Sequence, residues 1–204
     1  MSDINKESIM KILDCTLRDG GYYNNWDFPS EVIDAYLKAV AEAKIDYVEL
    51  GLRDFPKDNF LGAYAYTTED YLNAIELPIG PFYGVMVNAN TILSSSLTIT
   101  EAIDLLFVSA SASKISLVRI AAHFSEVDQC GPIVKYLKAL GYIVSLNLMQ
   151  AGGKASETVT EKARQANEWG VLDVLYFADS LGNMDGDEVE RIVSALRQEW
   201  TGPI

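Results

Sequence analysis

Six short apolar runs, each rich in β-branched or aromatic residues, recur along these 204 residues at intervals of roughly 30. They are Met10–Leu13, Tyr47–Leu50, Tyr83–Val87, Ile115–Ile120, Ile143–Leu148 and Val174–Phe177. None shows strict polar alternation, which is how strands buried on both faces read. Between them lie stretches with helical period. Ile33, Tyr36, Leu37 and Val40 share one face, as do Ile133, Leu137 and Leu140, and Val189, Ile192, Val193 and Leu196. Asp185 followed by Glu188 predicts a capping box opening the last helix. Gly141 and Gly170 stand where helices should stop. No Pro/Ser-rich linker interrupts the pattern, so residues 1–204 read as one α/β domain.

Repeated βα units imply a parallel sheet with right-handed crossovers. An open doubly wound sheet and a closed (βα)8 barrel both satisfy that. A doubly wound nucleotide binder needs a glycine-rich phosphate turn after its first strand, and Asp19-Gly20-Gly21-Tyr22 matches neither G-x-G-x-x-G nor the P-loop. Polar and charged residues follow nearly every predicted strand, which favours the barrel, whose site collects residues from many strand ends. A complete barrel takes about 250 residues. Six units account for this chain almost fully, so the expectation is an incomplete TIM-type barrel, ending before strands seven and eight, with two open strand edges.

A net charge of −13 argues against a nucleic-acid partner held by a basic surface. Two cysteines, Cys15 and Cys130, make neither a disulfide framework nor a thiolate metal site. The stretch MSDINKESIMK has no apolar core of a signal sequence, and no apolar run reaches the roughly 18 residues that span a membrane. A reduced, cytoplasmic setting with no membrane partner is therefore expected.

The chemistry-bearing residues cluster after the strands. Asp14-Cys15-Thr16-Leu17-Arg18-Asp19-Gly20-Gly21 sets two carboxylates and a guanidinium within six residues. Carboxylate oxygen suits a hard divalent cation, and an adjacent arginine stabilises negative charge on an oxygen. The two glycines are read as a sharp turn. Glu49, inside a buried strand, needs a partner, for which Arg18 is the natural candidate. Arg53 and Asp54 follow the same strand. Asn88 and Asn90 follow the third strand, Arg119 ends the fourth, and Asn147 and Gln150 end the fifth. His123, the single histidine, is placed at a helix start, where a capping or solvent-facing role is the commoner one. Asp179-Ser180 closes the sixth strand, where an Asx-type turn is the plain structural alternative. Ser180 is no nucleophile, because it lacks the G-x-S-x-G elbow.

Leu13-Asp14-Cys15-Thr16-Leu17-Arg18-Asp19-Gly20 resembles the D-x-T-L-R-D-G signature of the HMG-CoA lyase-like barrels, the DRE-TIM metallolyases. Val118–Glu126 is similar to the fourth-strand segment of the 4-hydroxy-2-oxovalerate aldolase branch, and Phe177–Ser180 with Gly182 and Met184 to its sixth. The resemblance implies a lyase using Mn²⁺ or Mg²⁺ to form the enolate of a 2-oxo acid, with an aldehyde as the other small-molecule partner. It makes Asp19 the metal ligand, Arg18 the enolate-stabilising residue and Glu49 the residue that orients Arg18. Asp14 and Asp179 would hold neighbouring loops. Ser180 would lie near the oxo-acid pocket; Arg119 and Asn147, at the ends of the fourth and fifth strands, are the further candidates for binding substrate, the amide of Asn147 being suited to hydroxyls or a carboxylate.

Two departures stand out. The aldolases carry a histidine base three residues after the motif aspartate, where this chain has Tyr22. A tyrosine, with an unperturbed pKa near ~10, is a poor base at neutral pH but can donate or relay a proton. The family's remaining metal ligands form a His-x-His pair after strand seven, and no such pair exists here. Three readings follow: the front part of a metal-dependent aldolase, inactive by itself; an acyl-CoA-condensing synthase of the same superfamily; or a non-catalytic barrel piece that binds or assembles, including with copies of itself, through its strand edges.

Overall fold

The computed structural model describes residues 10–204; the residues before them, read above as carrying no signal sequence, lie outside the described part. Six strands are present: β1 (Leu13–Asp14), β2 (Tyr47–Leu52), β3 (Phe82–Asn88), β4 (Leu117–His123), β5 (Ile143–Met149) and β6 (Val174–Ala178). They pair in the order β1-β2-β3-β4-β5-β6, every neighbour parallel. A doubly wound sheet reverses direction at a switch point. This one never does, so it is six consecutive staves of a barrel wall. The runs read from hydrophobicity fall within a few residues of the strands. β1 is the exception: only two of its residues pair, and Met10, read as strand, is 80% exposed.

Among the described residues eight α-helices lie between and beyond the strands: α1 (Thr16–Asn24), α2 (Ser30–Glu42), α3 (Glu69–Ala74), α4 (Ala89–Leu93), α5 (Ile99–Leu106), α6 (Gly131–Ala139), α7 (Ser156–Glu168) and α8 (Gly186–Arg197). The apolar faces predicted for α2, α6 and α8 supply Ile33, Leu37, Val40, Ile133, Leu137, Ile192 and Leu196 to one continuous core. Gly141 and Gly170 take positive φ just past α6 and α7, the left-handed conformation that closes a helix without a Cβ penalty. Half of the predicted capping box forms. Asp185 Oδ1 accepts from the Glu188 amide at 2.9 Å, while the Glu188 carboxylate turns instead to Gly153 and Arg191.

The Gly20-Gly21 pair is not a turn. Both residues lie inside α1, and the chain reverses later, at Asn25 and Trp26, which have positive φ. The physical need at Gly21 is space, because a Cβ there would run into the indole of Trp26, which packs against this helix. Trp26 Nε1 in turn donates to the Arg18 carbonyl at 2.9 Å, fixing the helix turn that carries Arg18 and Asp19.

β1 and β6 are the outer strands of the described sheet. Along β6, the Leu175 amide donates to the Pro203 carbonyl at 3.1 Å, so the last residues of the chain already lie against that edge. Both cysteines are free, and no described helix is long and apolar enough to cross a membrane.

Candidate active site

At the centre lies Glu49, on β2 and 0% exposed. Its carboxylate is clamped by two guanidiniums. Arg119, from the middle of β4, donates Nε to Oε2 at 2.7 Å and Nη2 to Oε1 at 2.5 Å. Arg18, from α1, donates Nε to Oε1 at 2.7 Å. A carboxylate in a parallel strand is tolerable only with such pairing. Burial opposes the charge on both arginines, but the Glu49 carboxylate wins and holds them above the ordinary guanidinium range. The expected Glu49–Arg18 pair is present. Arg119, read from sequence as facing substrate, spends most of its fork on Glu49 and lies 5.7 Å from the Tyr176 ring centre.

Arg18 reaches outward as well: its Nη1 donates to Asp19 Oδ1 at 2.7 Å. The Asp19 side chain is 67% exposed on α1, the helix that follows β1 at the strand's C-terminal end. Asp14 does not reach outward. Its Oδ1 accepts the Thr16 amide at 2.9 Å and the Tyr36 hydroxyl at 2.5 Å, pinning the start of α1 to α2. Partial burial would raise the Asp14 carboxyl, yet those two donors hold it below its usual range. Burial, with Asp14 nearby, pushes the Tyr36 phenol well up.

Beside this cluster opens a cavity of about 530 Å³ at the C-terminal ends of β3, β4 and β5. Tyr22, Asn88, Asn90, His123 and Met149 contribute to its wall. His123 is the last residue of β4 and not the first of a helix; strand alternation puts it on the same face as Arg119 and Ala121. Glu126 holds this corner, accepting the His123 amide on Oε2 and Asn90 Nδ2 on Oε1. Asn147 sits on β5 beside Ala121, buried, its Oδ1 without a partner among the described residues. Ser145, one inward-facing position deeper, has a buried unpartnered hydroxyl too.

The β6 loop takes the plain structural form. Asp179 accepts the amides of Asn183 and Met184, at 3.0 and 3.1 Å, and these bonds lower its carboxyl. Ser180 is exposed beside it. A separate cavity of about 560 Å³, where the β2–α3 loop meets the end of α5, is built around Arg53, which binds Glu69 at 2.9 Å and the Leu106 carbonyl at 2.7 Å. Arg53 is thereby bound to the helix layer and is not part of the Glu49 cluster.

Sequence reasoning missed three contributors. Tyr36 was read as core, although a buried phenol usually finds a hydrogen-bond partner. Tyr176 was read only as part of an apolar run. Glu126 lay in a quoted motif without a role. For a divalent cation, the oxygen chemistry of Asp19 fits, with Oδ2 left open by Arg18. Among the described residues, however, no three His, Cys, Asp or Glu side chains converge as a metal site.

No protein-family profile matches the chain. Individual relatives do. The 4-hydroxy-2-oxovalerate aldolase of Brevibacillus brevis is 29% identical over 187 residues, which is 92% of this chain and 53% of that protein. An oxaloacetate decarboxylase of Mycobacterium tuberculosis is 24% identical over 189 residues, or 91% of this chain and 52% of that one. The crystal structure of the N-terminal domain of an aldolase-type protein from Bacteroides vulgatus superposes with a TM-score of 0.83 at 30% identity, covering 95% of this chain and 62% of that one. The carboxyl transferase domain of Rhizobium etli pyruvate carboxylase shares the fold, with a TM-score of 0.73 at 15% identity over 98% of this chain and 35% of that one. The resemblance read from the motifs is borne out by these relatives, and the chain spans about half the length of the curated ones it matches.

Proposed function

We propose that the chain forms six βα units of a divalent-metal-dependent aldolase, a lyase acting on a 2-oxo acid and an aldehyde. The observation that carries the reading is Arg18, immobilised by Glu49 and set beside the open carboxylate of Asp19. In the cleavage direction a 4-hydroxy-2-oxo acid loses its hydroxyl proton, the C3–C4 bond breaks, the aldehyde leaves, and the electron pair becomes the enolate of the shorter oxo acid. A proton returned to C3 completes the turnover. The Arg18 guanidinium neutralises the charge that develops on the enolate oxygen, and because Glu49 fixes it beforehand, no reorganisation is needed when that charge forms. Tyr22, a residue of the cavity wall, would donate or relay the proton. Asp19 would hold Mn²⁺ or Mg²⁺, and the ion, when bound, would polarise the carbonyl of the oxo acid. Its remaining protein donors are not among the described residues. Arg119, Asn147 and Ser180 would contact the oxo acid, with Asp14 bracing α1 and Asp179 bracing the loop that carries Ser180. A cytoplasmic location suits two free cysteines.

The test is Mn²⁺-dependent exchange of the pyruvate methyl hydrogens in D₂O, followed by NMR. Residues 1–204 alone should bind Mn²⁺ weakly and exchange slowly. The same residues continued through two further βα units should do both well, and Arg18→Met should slow exchange at least ~100-fold, on the scale of a lost oxyanion donor. Equal metal affinity and exchange in the two chains, or exchange indifferent to Arg18, would sink the reading.

A further inference from the structure

The cavity beside Tyr22 is walled by groups that recognise hydroxyls. Ala121 and Met149 contribute its apolar surface, and the rest of the wall is polar. Part of that wall is already committed. Asp54 binds Lys57 at 2.7 Å and the Thr91 hydroxyl at 3.1 Å, and Asn90 is held by Glu126. Other groups hold their hydrogen-bonding capacity in reserve. Among the described residues, the Tyr22 hydroxyl, the Asn88 carboxamide and the His123 imidazole have no side-chain partner.

Asn147 is the strongest of these signals. It is 5% exposed, and its Oδ1 is sealed from solvent without a partner. A buried amide left unpaired is costly, and the cost is recovered when a ligand supplies the bond. Alternation along β5 puts Asn147 on the face of Met149, and the β4–β5 register sets it beside Ala121; both of those residues line the cavity. Asn147 is thereby set just behind the cavity wall, next to the small Ala121 and one inward-facing position below Met149. Ser145 extends the unpaired polar line one step deeper. An unsubstituted aldehyde brings one carbonyl acceptor and no donor, so it leaves the Asn147 Oδ1 unpaired. A hydroxyl both donates and accepts, so it satisfies either end of the carboxamide.

We propose that the cavity receives a polyhydroxylated aldehyde, a short aldose, with Asn147 recognising a hydroxyl at that wall and Asn88 and His123 binding others above it. Calling this ligand the acceptor of the aldol reaction rests on the reading above; the recognition of hydroxyls does not.

The experiment is saturation-transfer NMR and competition titration on the 204-residue chain, with D-erythrose and with butanal, which has the same carbon number and no hydroxyls. Erythrose should bind at least about tenfold more tightly, the scale of one or two hydrogen bonds to otherwise unpaired groups. Asn147→Leu should weaken erythrose about tenfold and narrow the gap to butanal. Asn88→Ala, at the end of β3 and less buried, gives a second reading if the core variant fails to fold. Equal binding of the two aldehydes overturns the proposal, and so does erythrose binding unchanged in every folded variant. Enolisation of pyruvate is read separately. Exchange without erythrose preference refutes this proposal alone. Erythrose recognition by the 204-residue chain, with no exchange in the chain continued through two further βα units, supports the polyol site and removes the aldolase reading.

Discussion

Glu49→Gln removes one negative charge and almost no volume, and the structure says what that leaves behind. Arg18 has an alternative partner in Asp19, and its side chain reaches the surface. Arg119 has none: its side chain is 8% exposed, and both of its bonds in the cluster go to Glu49. Glutamine can keep one acceptor toward Arg119, but its amide group then points N–H toward a guanidinium. Losing one or two charge-assisted bonds at about 1.5–3 kcal/mol each, with a cation stranded in the core, gives a destabilisation of about 3–5 kcal/mol. For a domain of this size that lowers Tm by roughly 8–15 °C. Urea unfolding followed by far-UV circular dichroism measures it, with Asp19→Asn as the exposed control that should cost under about 1 kcal/mol. The double variant Glu49→Gln/Arg119→Met should recover a large part of the loss, because the stranded cation is gone. A loss below about 1 kcal/mol for Glu49→Gln, or no recovery in the double variant, would refute the claim that this buried charge cluster is mutually dependent.

Two further predictions concern the frame around the site. Gly21→Ala should displace the Trp26 indole and break its bond to the Arg18 carbonyl, destabilising the chain by about 1–3 kcal/mol and shifting tryptophan emission to the red; unchanged emission would contradict the packing described. Stability should also fall with acid. The Arg191 guanidinium lowers Glu188 from 4.5 to about 2, and the Tyr36 and Thr16 donors outweigh burial to lower Asp14 below 3.8. Both groups are depressed in the folded state, so their contribution is complete above pH ~5 and is lost as pH falls toward ~2. The urea midpoint should therefore drop across that window, and Asp14→Asn/Glu188→Gln should flatten the drop; an equal slope in the variant would count against it.

The parts legible in the sequence were those written in local pattern. Six apolar runs gave six strands in sequential order, and periodic faces gave α2, α6 and α8. The Arg18–Glu49 pair was legible because a carboxylate in a buried strand demands a cation and a nearby motif offered one. Arg119 was harder. It binds the same carboxylate from 70 positions away, and no spacing rule connects residues on β2 and β4. α1 was obscured by Gly20-Gly21, since propensity reads a glycine pair as a turn, whereas here Trp26 requires the missing side chain. His123 was set one element too late because β4 runs on through it. The unpaired state of Asn147 depends on what the neighbouring strands place around it, and the sequence alone does not state that.

The strand order carries a consequence for how the chain comes together on the ribosome. Each strand pairs with the one made just before it, so every new βα unit finds its template already synthesised and no strand waits for a later one. Glu49 is the exception to this purely local growth. It meets Arg18, already emerged, as soon as β2 docks, and it acquires its second arginine only when β4 arrives, two units later. The buried carboxylate is therefore fully paired only when the fourth strand is in place, because the first two strands supply Arg18 alone.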